Sequence, residues 1–329
     1  MFVDGSAFMP IANSVICTTI IPTIARRKLI RAVESALEQP LSADEHEIIV
    51  VNDTGQSLAP APWQLARKVQ IVPTNRRERC IARNTGAALA TGRYLHFLDD
   101  DDWLLPEGLS HLRDLSLRHP SADWLVGGSQ LFDRQGEPLI RLDHQLQGNC
   151  FVHAMAGEWL PLQSSFIRTK AFNVVGGFRP KTLVSQDVDL CRRILLRGEL
   201  ASIGENVACI EMGIEGSTTD YERRDEYSRE AREAILNDDG VLKRLFESVT
   251  SAEWSGRVTR IYLGSAVWNA QRNRGWTALS RLVYTFASMG IAGVYLLSPD
   301  FWYALMNTYE SATFARGLQT VNDNLVASH

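Results

Sequence analysis

Cysteine is scarce in this sequence, and its cysteines form no recognisable pattern. They are Cys17, Cys80, Cys150, Cys191 and Cys209, among 329 residues. None of them shows the Cys-x-x-Cys spacing of a zinc site, and an odd number cannot pair completely. We therefore expect reduced thiols in a cytoplasmic protein, with neither a disulfide framework nor a zinc site.

An excess of positive charge is also absent. The formal net charge is −4, which excludes the broad basic field that nucleic-acid-binding proteins present to phosphates. The chain does not begin with a basic segment followed by a purely apolar one, so we expect no signal peptide. We therefore expect a cytoplasmic protein without a nucleic-acid partner.

Long apolar runs are few, and one uncharged stretch stands out. It reads LVYTFASMGIAGVYLLSP, residues Leu282–Pro299. It falls short of the roughly 20 apolar residues that span a membrane, and it contains Ser, Thr and two Gly. We predict a buried helix here, and a role at a membrane surface is the second reading.

What the chain does have is an alternation of strand and helix patterns. The apolar, β-branched strand patterns are residues 14–22, 47–53, 69–75, 93–99 and 122–132. The helical patterns between them are residues 26–40, 80–92 and 106–119, the last with Pro106 in its first turn. This order predicts an α/β fold with a Rossmann-like, mostly parallel sheet flanked by helices.

The composition changes near residue 220. A charged helical segment is followed by three apolar helical segments, with breaks predicted at Gly256, at Asn273–Gly275 and at Pro299. We therefore predict two parts, residues 1–220 and a C-terminal helical region of residues 221–329. The large aromatic residues expected in its core or at an interface are Trp268, Trp276, Trp302 and Tyr303.

Three polar clusters follow predicted strands. They are Pro22–Thr23, Asn52–Asp53 and the four aspartates Asp99–Asp102. Ligands of open α/β sheets bind beyond the carboxyl ends of the strands, so we expect these clusters to meet. Four adjacent carboxylates repel one another. Acids at a helix start are a simpler reading, but the run is denser than a turn requires, and carboxylate oxygens suit Mg2+ or Mn2+.

Five segments in chain order resemble the signature segments of family 2 glycosyltransferases. They are SVICTTIIPT, HEIIVVNDTG, ARNTGAALATGRYLHFLDDDDWLLPEGL, SSFIRTKAFNVVGGF and SQDVDLCRRILLRG, within residues 13–220. The resemblance implies the GT-A fold and an inverting transfer of sugar from a nucleoside-diphosphate sugar, UDP- or dTDP-linked, to an acceptor hydroxyl. It also implies a glycan or glycolipid acceptor in cell-surface polysaccharide or glycolipid synthesis.

The resemblance also implies roles for individual residues. Asp101 is matched with the metal-binding acid of the family's DxD motif, and the register within four identical residues is open by one. The residues matched to nucleotide-sugar binding are Pro22, Thr23, Asp53, Arg83, Asn84, Asp99 and Asp100. On the acceptor side the matched residues are Gly176, Gly177, Phe178 and Gln186. The simpler reading of Asp53 is that it only builds the turn after a strand.

Asp187 is the candidate catalytic base. An inverting transfer needs a carboxylate that takes the proton of the acceptor hydroxyl. The helical pattern starts near Gln186 and ends at Gly198, which places Asp187 in the first turn. The resemblance supports Asp187, although Gln186 stands where the family usually has Glu. Acids placed for the helix dipole are the simpler reading, which we prefer for Asp189 as a brace for the loop.

Some features depart from the family or leave alternatives. Many relatives carry a metal-binding His downstream, but residues 210–221 contain none, so Glu211, Glu215 or water would complete the metal shell. The alternative function is a non-catalytic relative that binds nucleotide or glycan and acts through its C-terminal helices. A nucleotidyltransferase would need a Gly-rich loop that IIPTIARRKL lacks, and a glycoside hydrolase needs no acidic metal site. Homodimerisation and peripheral association with the inner face of a membrane, both through those helices, stay open.

Overall fold

The computed structural model describes residues 15–66, 68–133, 135–180, 185–212 and 221–307. The predicted boundary at residue 220 and the candidate ligand Glu215 lie outside the described residues. All five cysteines are buried and unpaired, as expected from their spacing.

Ten strands form one sheet, and eleven α-helices are described around it. The strands are β1 Cys17–Thr23, β2 His46–Asn52, β3 Val69–Pro73, β4 Tyr94–Phe97, β5 Trp103–Leu104, β6 Trp124–Phe132, β7 Pro138–Leu142, β8 Gln147–Gly148, β9 Ser165–Arg168 and β10 Leu200–Glu211. The helices are α1 Leu29–Leu37, α2 Arg79–Leu89, α3 Gly108–Arg118, α4 Phe151–Ala156, α5 Thr169–Val174, α6 Gln186–Leu195, α7 Tyr221–Ile235, α8 Val241–Glu247, α9 Ala252–Gln271, α10 Gly275–Ala292 and α11 Pro299–Met306. All five predicted strands and all three helices predicted before residue 120 are present.

The sheet is mixed, with four parallel and five antiparallel pairings among the described strands, and six of its ten strands run in the same direction. Its order is β3-β2-β1-β4-β9-β6-β10-β5, with β7 beside β6 and β8 beside β10. The pairs β1–β2, β2–β3, β1–β4 and β6–β10 are parallel. β9 runs opposite to both of its neighbours, so β6 and β10 point the same way as β1 to β4. The carboxyl ends of β1, β2 and β4 therefore share one edge.

Helices cover both faces of this sheet, because the central strands bury side chains on both sides. In β1, the side chain of Ile20 joins one core cluster and that of Ile21 joins the other, and both are fully buried. Helices α1 and α3 pack on the face that Ile21 reaches. Helices α2, α4 and α6 pack on the face that Ile20 reaches, and α7 to α9 extend that same core. Apolar runs without alternation are typical of such doubly covered strands.

The strands that sequence patterns missed are short, antiparallel or irregular. β9 has four residues, and β5 and β8 have two each. β10 is long, but its pairing with β6 shifts register between Ser202 and Asn206, where polar residues interrupt the apolar pattern. Pro106 also lies before α3 and not in its first turn, because Glu107 takes a left-handed conformation with φ 64° ahead of Gly108.

Gly256 does not break a helix, as the sequence suggested, but lies inside α9. A Cβ atom at this position would lie 2.3 Å from the carbonyl oxygen of Phe301. The glycine is therefore needed so that α11 can pack closely against α9. The other two predicted breaks are confirmed, because α9 ends before Asn273–Gly275 and α11 begins at Pro299.

Helix α10 is not the buried helix that its uncharged sequence predicted. Val283 is 60% exposed, Phe286 is 69% exposed and Ile291 is 57% exposed, whereas Trp268 of α9 is buried. The segment Gly275–Leu297 is long and apolar enough to cross a membrane by length and composition alone. One helix of this kind is weak evidence for a span. The prediction failed because hydropathy cannot tell a core helix from an exposed apolar one.

Candidate active site

The three polar clusters at the strand ends meet, as their positions predicted. The backbone N–H of Asp53 donates to the carbonyl oxygen of Thr23 at 2.9 Å, which joins the ends of β1 and β2. The Thr23 hydroxyl donates to Oδ2 of Asp100 at 2.6 Å, which joins β1 to the acidic run after β4. Pro22 lies in β1 beside Val51 of β2, one residue before this junction. The parallel order of the strands thus creates one polar site from distant segments.

Asp53 anchors the segment that leads into α2. Its Oδ1 accepts hydrogen bonds from the Thr74 hydroxyl and from the backbone N–H of Arg76, the latter at 2.8 Å. Its Oδ2 accepts from the backbone N–H of Glu78 at 2.8 Å. The residue is buried, so its carboxylate is largely used within the protein. Its role as a ligand of the nucleobase stays a prediction.

Three carboxylates of the acidic run could hold a metal ion. One oxygen from each of Asp99, Asp101 and Asp102 lies within 4.8 Å of the others. Asp102 is fixed by Gln163, whose Nε2 donates at 2.7 Å, and by the backbone N–H of Glu211 at 2.8 Å. Gln163 also donates to Asp99 at 3.3 Å. Hard oxygen ligands at this spacing suit Mg2+ or Mn2+.

Electrostatics show that this cluster lacks enough positive charge of its own. Burial, followed by the nearby charge of Asp99, raises the pKa of Asp101 to about 6. Burial and the charge of Asp101 hold the pKa of Asp102 well above its usual range. Burial would also raise the pKa of Asp99, but Arg83 and Arg79 more than offset it and lower the value. A bound cation would favour the charged forms, so the donor set fits a divalent metal.

Arg26 is one of two arginines that form ion pairs with the acidic run, and Arg83 is the other. Arg26 lies between β1 and α1, just after Ala25, whose φ of 64° turns the chain toward the site. One guanidinium nitrogen, Nη1, donates to Asp100 at 2.8 Å and to Asp101 at 3.0 Å. Burial lowers the pKa of Arg26, but Asp100 and Asp101 more than offset this and raise it. The guanidinium thus supplies one positive charge to these two carboxylates.

Glu211, a proposed substitute for the missing histidine ligand, does not join the acidic group. Its carboxylate pairs with Lys28 and lies 3.5 Å from Nη2 of Arg31. The same Arg31 nitrogen donates to the backbone carbonyl of Asp101 at 2.7 Å, and the guanidinium stacks 3.7 Å from the ring centre of Trp103. Basic residues at the start of α1 therefore already neutralise Glu211.

Arg83 and Asn84 of α2 lie side by side but contact different parts of the site. Arg83 is buried and pairs with Asp99. Burial lowers its pKa, but the charges of Asp99 and, to a smaller extent, Asp187 raise it overall. Its Nε has no hydrogen-bond partner among the described residues. Asn84 donates to the carbonyl of Phe178 at 2.8 Å and accepts from the Phe178 N–H at 2.9 Å.

The turn at Gly176–Phe178 needs its glycines. Both Gly176 and Gly177 have positive φ, of 79° and 67°, which residues with a Cβ rarely adopt. A Cβ on Gly177 would lie 2.7 Å from Oδ1 of Asn84, whereas no atom lies within 4 Å of one built on Gly176. Phe178 itself is 1% exposed and packs against Phe97. Of the four predicted acceptor-side residues, Phe178 therefore supports the turn from the core.

Asp187 lies in the first turn of α6, as predicted. Its Oδ2 accepts a hydrogen bond from the indole N–H of Trp159 at 2.8 Å, and its Oδ1 accepts from the Val188 N–H at 2.9 Å. Gln186, the first residue of α6, is buried. Asp189 is buried too, pairs with Arg193 of the same helix at 2.7 Å and lies 3.6 Å from Arg179 of the preceding loop. Asp187 is the partly exposed acid of this turn.

Four residues of the site were missed by sequence reasoning. Arg26 and Arg79 stand in basic segments, and nothing in the local sequence assigns either residue to the site. Gln163 and Trp159 lie before β9, where no pattern drew attention to them. The signal available for Arg26 was its place directly after the first strand, three residues beyond Thr23.

The comparison with known sequences identifies the chain. Residues 18–179 match the family model described as Glycosyl transferase family 2. These residues, about half of the chain, form a family 2 glycosyltransferase domain. All the nucleotide-site candidates and the Gly176–Phe178 turn lie within the matched residues, whereas Asp187 lies just beyond them.

This family 2 glycosyltransferase is similar to two proteins of Staphylococcus aureus. It is 27% identical over 116 residues to poly(ribitol-phosphate) beta-N-acetylglucosaminyltransferase TarP of strain N315. The match covers 33% of this chain and 35% of TarP, so the chain spans about a third of that relative.

Solved structures of S. aureus TarS share the fold. TarS residues 1–349 in complex with UDP-GlcNAc align with a TM-score of 0.58 at 15% identity, covering 84% of this chain and 92% of that one. A longer TarS structure aligns with a TM-score of 0.53 at 15% identity and covers 76% of this chain and 48% of that one. The glycosyltransferase therefore has the GT-A fold, and the alignment extends into the C-terminal helices.

Proposed function

We propose that this family 2 glycosyltransferase transfers a sugar, with inversion, from a nucleoside-diphosphate sugar to an acceptor hydroxyl. The observation that carries the proposal is the ion pair of the buried Arg83 with Asp99, together with the effect of the Asp187 charge on the same guanidinium. Asp99, from the acidic run, and Asp187, from α6, both raise the pKa of Arg83. The candidate nucleotide site and the candidate base thus lie close to one cation, as a transfer between two bound substrates requires.

Of the two nucleotides that the sequence suggested, UDP and dTDP, we propose UDP. The support is the fold shared with a TarS structure described as a UDP-GlcNAc complex. N-acetylglucosamine is the sugar to test first, and a poly(ribitol phosphate) polymer is the acceptor to test first, because the name of TarP contains both. The acceptor class is thus a cell-surface glycan of the polyol-phosphate type.

We propose that the enzyme depends on Mn2+ or Mg2+, held by Asp99, Asp101 and Asp102. When bound, a divalent cation supplies positive charge beside the diphosphate that leaves the sugar. Asp102 is held in place for this role by Gln163 and the Glu211 N–H. Arg83 offers a guanidinium to the same anionic region, where a planar fork suits phosphate oxygens.

Asp187 is proposed to act as the general base. Its carboxylate takes the proton of the acceptor hydroxyl while that oxygen attacks the anomeric carbon from the face opposite the diphosphate. Trp159 holds Oδ2 of this carboxylate through the indole N–H at 2.8 Å. The turn at Gly176–Gly177 presents backbone without side chains next to α6, and it is the proposed acceptor side of the site.

Calorimetric titration with UDP, dTDP, GDP and CMP, each with and without Mn2+, tests the donor site. The proteins are the wild type, Asp101→Asn and the control Asp114→Asn, whose carboxylate is 56% exposed on α3. We expect UDP to bind with Mn2+, to bind much more weakly in Asp101→Asn, and to bind normally in the control. A UDP affinity that is the same with and without Mn2+, and the same in Asp101→Asn, would refute the metal dependence. Folded protein that binds no nucleotide would refute the transferase proposal.

A transfer assay distinguishes the proposed transferase from the non-catalytic alternative. Wild-type protein that binds UDP-GlcNAc, but releases no UDP with any polyol-phosphate or glycolipid acceptor, would favour the binding relative that acts through its C-terminal helices. Release of UDP that requires both the acceptor and Asp187 would exclude it.

We also propose that the protein is cytoplasmic and that α10 rests on the inner face of a membrane. The apolar segment Gly275–Leu297 consists of α10 and the turn after it. Trp276 at its start, Phe286 in its middle and Leu297 at its end are all strongly exposed. No acidic residue occurs between residues 275 and 299, and Arg272 and Arg274 precede the segment. An amphipathic aromatic surface next to arginines suits anionic lipid.

Sedimentation with anionic lipid vesicles tests this association. We expect wild-type protein to sediment, Trp276→Ser/Phe286→Ser to remain in solution, and the control Leu117→Ser, which removes an exposed leucine of α3, to behave as wild type. A concentration-dependent dimer that does not bind vesicles, and that the double substitution disrupts, would overturn the membrane proposal in favour of a second copy of the chain.

A further inference from the structure

Arg26 holds the acidic run in an unusual way. Its side chain is 27% exposed, and both of its ion pairs, to Asp100 at 2.8 Å and to Asp101 at 3.0 Å, use the same nitrogen, Nη1. Arg26 therefore does not form a bidentate pair, with two parallel N–H···O bonds, with either carboxylate, and the bidentate pair is the stronger arrangement. The guanidinium neutralises these acids without being locked onto either of them.

The carboxylate of Asp101 pairs with Arg26 and is also part of the acidic group that could hold a metal ion. It offers one of the three oxygens of the group formed with Asp99 and Asp102, and its Oδ2 is also the acceptor for Arg26. A guanidinium and a divalent cation on one carboxylate would repel each other strongly in a partly buried site. The other bonds of Asp101 do not conflict with a metal, because Arg31 binds its backbone carbonyl and not its side chain.

We propose that Arg26 is an internal counter-cation that competes with the divalent metal for Asp101 and is released when metal and nucleotide bind together. The proposal rests on the metal-dependent donor site proposed above. In the free enzyme, Arg26 keeps the acids paired, so metal alone binds weakly. In the loaded enzyme, the freed guanidinium faces the diphosphate, for which its fork geometry is suited. Arg26 is thus a positioning residue that couples metal binding to donor binding.

The competing explanation is that Arg26 is a fixed structural brace. In that case its removal would disturb the acidic run, and metal binding would weaken or stay unchanged. The geometry favours exchange, because the side chain is partly exposed and is held through one nitrogen. By contrast, Arg193 is 4% exposed and donates to Asp189 through both Nε and Nη2.

Titration of the free protein with Mn2+ alone, followed by the electron paramagnetic resonance signal of unbound Mn2+, tests the competition. The variants are Arg26→Gln and the matched control Arg27→Gln, which removes the same charge from the neighbouring exposed residue. We expect Arg26→Gln to bind Mn2+ about tenfold more tightly than wild type, since one charge-assisted competitor is removed. Arg27→Gln should stay within about twofold of wild type. Unchanged or weaker binding in Arg26→Gln would overturn the proposal.

A second variant tests whether the positive charge of Arg26 is what competes with the metal. Arg26→Lys retains the positive charge, so it should raise Mn2+ affinity less than Arg26→Gln does. Equal effects of the two substitutions would show that charge is not what competes, and would overturn the proposal.

Titration with UDP separates this inference from the proposed function. In wild type, UDP should tighten Mn2+ binding, and by linkage Mn2+ should tighten UDP binding by the same factor. In Arg26→Gln we expect this mutual enhancement to shrink about tenfold, because the free enzyme no longer has a competitor to displace. If UDP binds to none of the proteins, the proposed function fails. If UDP binds normally and Arg26→Gln leaves both Mn2+ affinity and the enhancement unchanged, only the role of Arg26 fails.

Discussion

Replacement of Asp53 by asparagine should loosen the segment that carries α2 into the site. The buried carboxylate accepts three hydrogen bonds, from Thr74 and the Arg76 N–H on Oδ1 and from the Glu78 N–H on Oδ2. An asparagine can keep its oxygen toward the first two donors. Its amide nitrogen then faces the N–H of Glu78, and two donors cannot form a hydrogen bond.

The magnitude follows from this count. One hydrogen bond to a charged acceptor is lost, which costs about 1.5–3 kcal/mol. The two bonds that remain become bonds to a neutral oxygen and weaken. We therefore expect Asp53→Asn to lower the free energy of unfolding by about 3 kcal/mol. The flipped amide is worse, because it would leave two donors without an acceptor.

Urea denaturation followed by tryptophan fluorescence measures this loss. Asp114→Asn serves as the control, because its carboxylate is exposed and pairs only with the adjacent Arg113. We expect the control to change the free energy of unfolding by less than about 0.5 kcal/mol. A loss for Asp53→Asn no larger than that of the control would refute the anchoring role. Weaker UDP binding without loss of stability would then point to direct contact with the nucleobase.

Three further predictions concern the base, the C-terminal packing and pH. Asp187→Asn should lower the rate of sugar transfer by about 10²–10⁴-fold and leave UDP affinity unchanged in calorimetry; a matching loss of UDP affinity would contradict a role as base. In α9, Gly256→Ala should lower the free energy of unfolding by about 1–3 kcal/mol, since its Cβ would meet the Phe301 carbonyl oxygen at 2.3 Å. A Cβ at Gly264 would meet no atom within 4 Å, so Gly264→Ala should raise the free energy of unfolding by up to about 1 kcal/mol. Equal effects of the two substitutions would argue against the close approach of α11. Burial holds the pKa of His46 at about 3 and that of His96 at about 4, so the unfolded chain binds protons that the folded chain does not as pH falls below about 6.5. Stability should therefore drop by about 2 kcal/mol per histidine between pH 7 and pH 5, and urea denaturation of His96→Gln should show a shallower drop.

The sheet edge was predictable because it depends on apolar runs and on the residues that end them. β1, β2 and β4 are largely buried strands, and a polar residue lies at the carboxyl end of each strand or within two residues beyond it. Parallel strands end at a common edge, so Thr23, Asp53 and Asp99 had to meet once the strand order was right. The position of Asp187 was predictable for a similar reason, since α6 starts where the helical pattern does.

The partners of these residues could not be predicted, because they depend on tertiary contacts. Nothing in the local sequence shows that Gln163 joins Asp99 to Asp102, or that Trp159 reaches Asp187 across 28 residues. β9 places Gln163 there, and a four-residue antiparallel strand leaves little periodicity to detect. The exposure of α10 is a similar case, since composition sets apolarity but not what covers it.

The two hydrogen bonds between Asn84 and Phe178 have a consequence for how substrate preference can change. They tie the donor-side helix α2 to the acceptor-side turn, 94 residues away in the sequence. Gly177 fits only because it has no Cβ to strike Asn84. A new acceptor turn grafted from another enzyme would therefore need a matching asparagine in α2. With the donor and acceptor roles proposed above, a change of the turn therefore requires a matching change in α2.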